Sequence, residues 1–164
     1  MLVLGIDPGT ATTGYGLVEY RESKERLLDY GTIKTAADME MPLRLCKINR
    51  DLNLLIEEYN PDVVAVEELF YHNNSKTVIT VAQGRGVAVM TAAGAGIEVV
   101  EYTPLQVKQA VVGYGKADKK QVQLMVQKIL SMKDLPRPDD AADALAIAIC
   151  HLHSHKILSW SRMK

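Results

Sequence analysis

Two continuous apolar runs dominate the pattern of hydrophobic and polar positions along the chain. The first, Leu2–Ile6, is followed by Asp7, and the second, Val63–Val66, is followed by Glu67. A strand that is apolar at every position is buried on both faces, so helices must cover both sides of its sheet. The pattern therefore predicts an α/β fold with a β-helix-β crossover instead of a sandwich of two sheets.

The remaining elements are predicted from the spacing of apolar residues around these two runs. Apolar residues from Leu43 to Ile56 recur mostly every three or four positions, which indicates an amphipathic helix that ends before Asn60-Pro61. The first three strands are expected to be antiparallel, with the charged stretch Glu19–Glu25 as a turn. The other predicted elements are strands over Tyr15–Tyr20, Arg26–Lys34 and Ile97–Tyr102 and helices over Pro42–Tyr59, Ser75–Ala93, Leu105–Val112, Lys119–Leu130 and Asp139–His153.

Composition fits one compact domain over residues 1–164, with 48% hydrophobic and 24% charged residues. Cys46 and Cys150 form no CxxC pair, and no charged-then-apolar leader precedes the first strand. We therefore expect a reduced protein of the cytoplasm. No apolar stretch reaches the roughly 18 residues of a membrane span, so membrane insertion is not expected.

Charge is distributed unevenly along the chain, although the net charge is only −1. Residues 1–103 contain 9 basic and 15 acidic side chains, whereas residues 104–164 contain 10 basic and 5 acidic ones. This asymmetry indicates either an anion-binding face beside a carboxylate-rich pocket or simply a solvated surface.

Four acidic residues are candidates for a single site. Asp7 and Glu67 each end a strand that is predicted to be buried, and in open α/β sheets ligands bind outside the carboxyl ends of the strands. Asp140 and Asp143 are three residues apart, and so lie on one face of the last predicted helix. Because desolvation and neighbouring negative charges both raise carboxyl pKa values, a divalent cation would stabilise such a cluster.

The chemistry of these ligands favours Mg²⁺ or Mn²⁺, since all are oxygens and no Cys or His stands at metal-binding spacing. Two such ions about 3.5–4 Å apart can activate the attacking water and stabilise the leaving oxygen in phosphodiester hydrolysis. Structural explanations also exist for three of the acids. Asp7 precedes Pro-Gly and is typical of a turn, while Asp140 and Asp143 lie near a helix N-terminus, where acids are stabilising. Glu67 is harder to explain structurally, because glutamate is depleted in strands and is seldom buried unpaired.

Five sequence blocks resemble the RuvC family of Holliday junction resolvases, which are nucleases of the ribonuclease H-like superfamily. The blocks follow the family's order and spacing over nearly the whole chain. The resemblance implies a five-stranded mixed sheet, with three antiparallel strands and then parallel strands, and with helices on both faces. The blocks are Leu4–Thr10 with Thr13–Gly16, Val66–Phe70, Gln83–Ala88, Gln106–Gly113 and Asp140–Ala146.

The family's catalytic acids fall on Asp7, Glu67, Asp140 and Asp143. By superfamily analogy, Asp7 lies between two Mg²⁺ ions, Glu67 binds one of them, and the other two acids bind the second. The resemblance implies a homodimeric endonuclease that nicks two strands of like polarity across a four-way DNA junction. It also implies cooperation with a branch-migration motor of the RuvA–RuvB type in bacterial recombination and repair.

DNA-binding residues are implied less sharply. Lys108 and Lys119 match family positions that contact DNA, and Lys116 and Lys120 belong to the same basic stretch. These lysines either contact phosphates or cover a solvated helix surface. Phe70 follows the catalytic glutamate in the family motif, where it either stacks on a base near the junction centre or packs in the core.

The helix over residues 75–93 resembles the helix that pairs with its two-fold mate in this family. Such pairing would use Val78, Ile79, Ala82 and Val89, and burial within one subunit is the alternative. Glycines interrupt this helix at positions 84 and 86, each at a cost of roughly 1 kcal/mol relative to Ala. They indicate either close approach of a second backbone, including one from a partner subunit, or a bend or packing against a strand.

The net charge departs from the family, whose members are often clearly basic. Binding to DNA is therefore expected to be sensitive to salt, or to need a metal that masks the acids.

Two other functions compete with the nuclease. The Gly-Ile-Asp-Pro-Gly-Thr block is similar to the phosphate loop of actin-type and sugar-kinase-type ATPases, but that fold needs two such domains, and the chain contains no internal repeat. A Walker GxxxxGK[ST] motif is also absent. The second competitor is a non-catalytic module that binds junctions or structured RNA. The presence of all four acids argues against it.

Overall fold

The computed structural model describes residues 1–68 and 75–161, and within these ranges the side chains of all residues except 75–77 and 156–161. Strands and helices follow each other as the apolar spacing predicts. The elements are, in chain order, β1 (Leu2–Asp7), β2 (Thr12–Arg21), β3 (Lys24–Lys34), α1 (Met41–Tyr59), β4 (Val63–Glu67), α2 (Ser75–Gly94), β5 (Glu98–Tyr102), α3 (Pro104–Val112), α4 (Lys119–Ile129) and α5 (Asp139–Ser161).

The strands form one mixed sheet in the order β3-β2-β1-β4-β5. β2 pairs antiparallel with both β1 and β3, whereas β4 pairs parallel with both β1 and β5. The predicted architecture of three antiparallel strands followed by parallel strands is thereby confirmed. The two apolar runs are adjacent at the centre of the sheet, where burial on both faces is greatest.

Alternate side chains of the central strand pack on opposite faces of the sheet. Leu4 and Ile6 belong to a cluster with Leu52 of α1, which α2 also joins. Val3 belongs to a second cluster with Ile149 of α5, which α3 and α4 also join. Because consecutive strand residues point to opposite faces, a continuous apolar strand is needed to supply both clusters.

The starts of α3 and α4 are fixed by reciprocal capping. In α3, the Thr103 hydroxyl accepts a hydrogen bond from the amide of Gln106, whose side-chain oxygen accepts one from the amide of Thr103. Asp118 and Gln121 form the same capping box at the start of α4. These two helices line the site described below, so the caps help to hold its lysine-bearing walls in place.

The first hairpin and the last helix differ from the predicted boundaries. The expected seven-residue charged turn is confined to Glu22 and Ser23, which adopt φ values of 53° and 66°, and β2 and β3 extend toward it on both sides. Positive φ at both residues is typical of the tight hairpin turns that match strand twist.

α5 continues to Ser161, beyond the predicted His153. None of the helices in the described ranges, α5 included, is long and apolar enough to cross a membrane.

Candidate active site

Two neighbouring strands end side by side, and each ends in an acid. The parallel register of β1 and β4 pairs Ile6 with Val66, so Asp7 and Glu67 are the next residues along the two strands. Ile6 and Val66 pack in the cluster with α1 and α2. The alternation of a strand therefore directs both acids to the opposite face, where α3, α4 and α5 lie.

The first turns of α5 bring the other two predicted acids to the same place. Asp140 and Asp143 lie at the start of a helix that packs directly on β1 and β2. Gly14, the partner of Asp7 in the β1–β2 register, permits this contact, because a Cβ on it would stand 2.0 Å from the carbonyl oxygen of Asp140. Gly5 permits the same close approach one turn further along α5, where its Cβ would stand 2.1 Å from a helix carbonyl.

The loop after β1 is held by a side chain at the start of β2 and by close contact with α2. The Thr13 hydroxyl donates a hydrogen bond of 2.6 Å to the carbonyl of Gly9. A Cβ on Gly84 of α2 would stand 3.2 Å from the carbonyl carbon and oxygen of Gly9. Gly84 is therefore explained by close approach of a second backbone within the same chain. Gly86 has no atom within 4 Å of the position of its Cβ, so nothing described in this chain explains it.

Burial and mutual repulsion perturb the acids strongly. Burial, followed by the charges of Glu67, Asp143 and Asp140, raises the pKa of Asp7 to about 7. Burial and the charge of Asp143 also raise the pKa of Glu67. Burial is the main cause of the raised pKa of Asp143. These shifts indicate that Asp7 lies within electrostatic reach of the other three predicted acids.

A lysine partly neutralises this cluster. The Nζ of Lys119 lies 3.0 Å from an oxygen of Asp143 and 3.3 Å from an oxygen of Asp139. Burial lowers the pKa of Lys119, but its hydrogen bonds and ion pairs with Asp143 and Asp139 outweigh burial and leave the pKa raised. The same ammonium opposes the rise in the pKa of Asp7, Glu67 and Asp143.

A groove of about 200 Å³ runs beside the cluster. Its charged lining consists of Glu67, Asp143, Lys108 and Lys119. Apolar side chains of α3, α4 and α5 complete its lining. A groove with carboxylates and lysines together suits an anionic substrate that is bound through a metal or an ammonium group.

The acids do not form a preformed metal site. Within residues 1–68 and 75–161, no group of three or more His, Cys, Asp or Glu side chains is placed so that it can hold a metal ion. Asp143 pairs with Lys119 instead. The donor set still fits a hard divalent cation, because it consists of carboxylate oxygens that burial and repulsion destabilise when charged.

The predicted DNA-binding residues are distributed around this groove. Lys108 is half-buried and lines it, whereas Lys116 and Lys120 are exposed in the segment that leads into α4. Phe70 lies outside the described residues. The ion pairs of Lys119 with Asp139 and Asp143 were not predicted, since they depend on how α4 packs against α5, and no local sequence pattern reports that packing.

Comparison with known proteins gives a consistent result. The family model described as crossover junction endodeoxyribonuclease RuvC matches residues 3–151. The crossover junction endodeoxyribonuclease RuvC of Syntrophomonas wolfei is 70% identical over 160 residues, which cover 98% of this chain and 93% of that protein.

Solved structures agree in fold. RuvC of Thermus thermophilus in complex with a Holliday junction substrate has a TM-score of 0.91 and 38% identity, with 96% of each chain covered. The yeast mitochondrial Holliday junction resolvase has a TM-score of 0.70 and 17% identity, and the match covers 98% of this chain and 82% of that one. At this low identity, the match is evidence for the shared fold and for nothing further. Together with the family model, these matches show that the chain belongs to the RuvC family of crossover junction endodeoxyribonucleases.

Proposed function

We propose that this chain, acting as one nuclease domain over residues 1–164, is a Mg²⁺-dependent endonuclease that resolves four-way DNA junctions by paired symmetric nicks. The observation that carries the proposal is the cluster of Asp7, Glu67, Asp140 and Asp143 beside a groove with two lysines, in a member of the RuvC family. A polyanionic substrate matches the lysines, and a hydrolytic metal centre matches the acids.

The same four acids would hold the metal, with two Mg²⁺ ions per subunit and Mn²⁺ able to substitute. Bound there, the ions would activate water and stabilise the leaving oxygen of a phosphodiester. One carboxylate oxygen of Asp143 is engaged with Lys119, so a bound metal would compete with this ion pair. The release of repulsion among buried carboxylates would favour binding of the cation.

The protein's own side chains supply binding and orientation. Lys108 lines the same groove as Glu67 and opposes the rise in the pKa of Glu67, so it can also attract a phosphate that enters there. Lys119, once released from Asp143, would also attract such a phosphate. The exposed Lys116 and Lys120 extend the positive surface along the DNA backbone.

A homodimer follows from the symmetry of the substrate, since two identical active sites then face two equivalent strands. α2 offers a stripe of exposed small and apolar residues at helical spacing: Ile79, Ala82, Gly86, Met90 and Ala93. Of the residues predicted for this contact, Ile79 and Ala82 lie in the stripe, while Val78 and Val89 are half-buried. Gly86, with open space around its Cβ position, would let a partner backbone approach closely.

The proposed partnership with a branch-migration motor rests on family membership alone.

The decisive experiment is cleavage of a labelled synthetic four-way junction beside a linear duplex of the same sequence. With Mg²⁺ or Mn²⁺, the junction should be cut at two symmetric positions, the duplex should remain intact, and EDTA should abolish cutting. Asp7→Asn should bind the junction and leave it uncut.

Three results would overturn the proposal. Junction binding without cutting under every metal condition would make the chain a non-catalytic binder. Full cutting by Asp7→Asn would exclude the carboxylate cluster as the active site. ATP hydrolysis without DNA cleavage would favour the ATPase alternative.

A further inference from the structure

Two exposed side chains with large apolar surfaces belong to α3 and to the loop that follows it. Tyr114 is 56% exposed and Leu105 is 54% exposed. A Cβ on Gly115 would stand 2.4 Å from Cδ1 of Leu105, so Leu105 lies directly against the loop that carries Tyr114. We call Tyr114 and Leu105 the rim patch.

The backbone on both sides of Tyr114 is fixed. Gly113 ends α3 in the left-handed conformation, with φ of 78°, and its amide donates a 2.9 Å hydrogen bond to the carbonyl of Gln109. The carbonyl of Tyr114 accepts a 3.2 Å hydrogen bond from the amide of Ala117, whose side chain is buried in the core. Because the loop is already ordered, a contact made by Tyr114 costs mainly the rotamer freedom of its own side chain.

Two lysines lie close to the rim patch along the chain. Lys108 lies one turn after Leu105 on α3 and lines the groove beside Glu67 and Asp143. Lys116 follows Tyr114 by two residues and is exposed. An apolar patch with lysines nearby complements a ligand that combines negative charges with flat apolar faces, as a DNA strand with an unstacked base does.

We infer that Tyr114, in the loop against which Leu105 lies, stacks on an unstacked base of the DNA strand that enters the groove. The inference rests on the proposed function and adds a residue to it. Lys108 and Lys116 would hold the backbone of that strand, and the ring of Tyr114 would then cover the base. Bases inside a continuous duplex have both faces occupied by their neighbours, so the contact favours branched DNA over linear DNA.

The test uses the Asp7→Asn protein, which should bind without cutting, and a synthetic four-way junction that carries 2-aminopurine next to the branch point, one position at a time. Binding should quench the probe at the position that Tyr114 covers. Adding Tyr114→Ala should abolish that quenching and weaken junction binding by about fivefold or more, with a smaller effect on linear duplex. Tyr114→Phe and Tyr114→Trp should retain both properties, whereas Tyr114→Leu, which keeps apolar surface without a ring, should behave like Tyr114→Ala.

Leu28→Ala is the matched control, because Leu28 is also an exposed apolar residue, at 48%, but lies on the edge strand β3. It should change neither signal. Unchanged binding and quenching in Tyr114→Ala at every probe position would overturn the inference, and so would full retention by Tyr114→Leu. An Asp7→Asn protein that binds no junction would instead refute the proposed function, so the two failures are distinguishable.

Discussion

Gly14 is the contact point between β2 and the first turn of α5, because a Cβ on Gly14 would stand 2.0 Å from the carbonyl oxygen of Asp140. In the sheet, Gly14 also lies opposite Asp7 across the β1–β2 pair. A residue without a side chain therefore sets the separation between an acid of the sheet and the acids of the helix. The distance between these groups matters, since small displacements of catalytic groups cost large factors in rate.

Gly14→Ala is expected to push the start of α5 away from Asp7. Overpacking at such a contact destabilises by about 1–3 kcal/mol, and the displaced acids should lower junction cleavage by roughly 100-fold. Urea unfolding and single-turnover cleavage measure the two effects. Gly94→Ala of α2 is the control, since a Cβ there meets nothing within 4 Å, so this variant should cleave like the wild type and be no less stable. Wild-type cleavage by Gly14→Ala would show that the helix can shift without consequence.

Stability should depend on pH through Asp7. Its pKa rises from an ordinary 3.8 to about 7 in the folded protein, so the folded state binds this proton more tightly than the unfolded state does. The resulting destabilisation is absent below about pH 4, grows as the pH rises, and is complete above pH 7. In EDTA, Asp7→Asn should therefore raise the free energy of unfolding at pH 8 by on the order of 2 kcal/mol and change it little at pH 4.

Urea unfolding at the two pH values measures this difference. The exposed Asp38→Asn serves as a control and should show no such dependence. Mg²⁺ at pH 8 should stabilise the wild type more than Asp7→Asn, because a ligand that binds only the folded state adds to its stability. An equal effect of Asp7→Asn at both pH values would contradict the proposed burial of charge.

The central sheet and two of the site residues are predictable from local patterns. A continuous apolar run is a strong signal for a strand buried on both faces, and the residue that ends such a run must lie at the carboxyl edge of the sheet. The two apolar runs therefore predict that Asp7 and Glu67 lie side by side. Their adjacency is confirmed by the β1–β4 register.

Contacts between distant segments cannot be predicted in the same way. Glycine has a low helix propensity, so nothing in the local sequence explains Gly84 within α2. The reason is that the backbone of Gly9, in the loop after β1, lies so close that a larger side chain would crowd it. The tight turn at Glu22 and Ser23 has no Gly or Asn to mark it, because these residues are held in the left-handed region by the pairing of β2 and β3. Such features depend on packing, and a local sequence window does not contain the partner.

Lys119→Gln should separate metal binding from DNA binding. Removing the ammonium frees Asp143 and removes a like charge that repels the cation, so Mg²⁺ affinity without DNA should rise roughly threefold to tenfold at pH 8. Junction affinity should fall, and the slope of log affinity against log salt concentration should become less steep by about one, as expected for the loss of one phosphate contact. Titration calorimetry and binding at several salt concentrations test both effects. Substitution of the neighbouring exposed lysine, Lys120→Gln, is the control and should leave Mg²⁺ affinity unchanged. An unchanged Mg²⁺ affinity in Lys119→Gln would exclude competition between this lysine and the metal.

Charge placed on the exposed stripe of α2 should separate the proposed dimer. Met90 and Ile79 are 59% and 63% exposed, so Met90→Glu and Ile79→Asp should not disturb the core of one subunit. In a dimer both substitutions would bury charges against their own copies, which is strongly unfavourable. Sedimentation of either variant should show a species near 18.1 kDa with unchanged helical content, and cutting should change from paired to single nicks. Leu28→Glu, on the far edge of the sheet, is the control and should leave the dimer intact. The proposed assembly would be contradicted by a wild-type protein that sediments as a monomer at micromolar concentration, both with and without junction DNA.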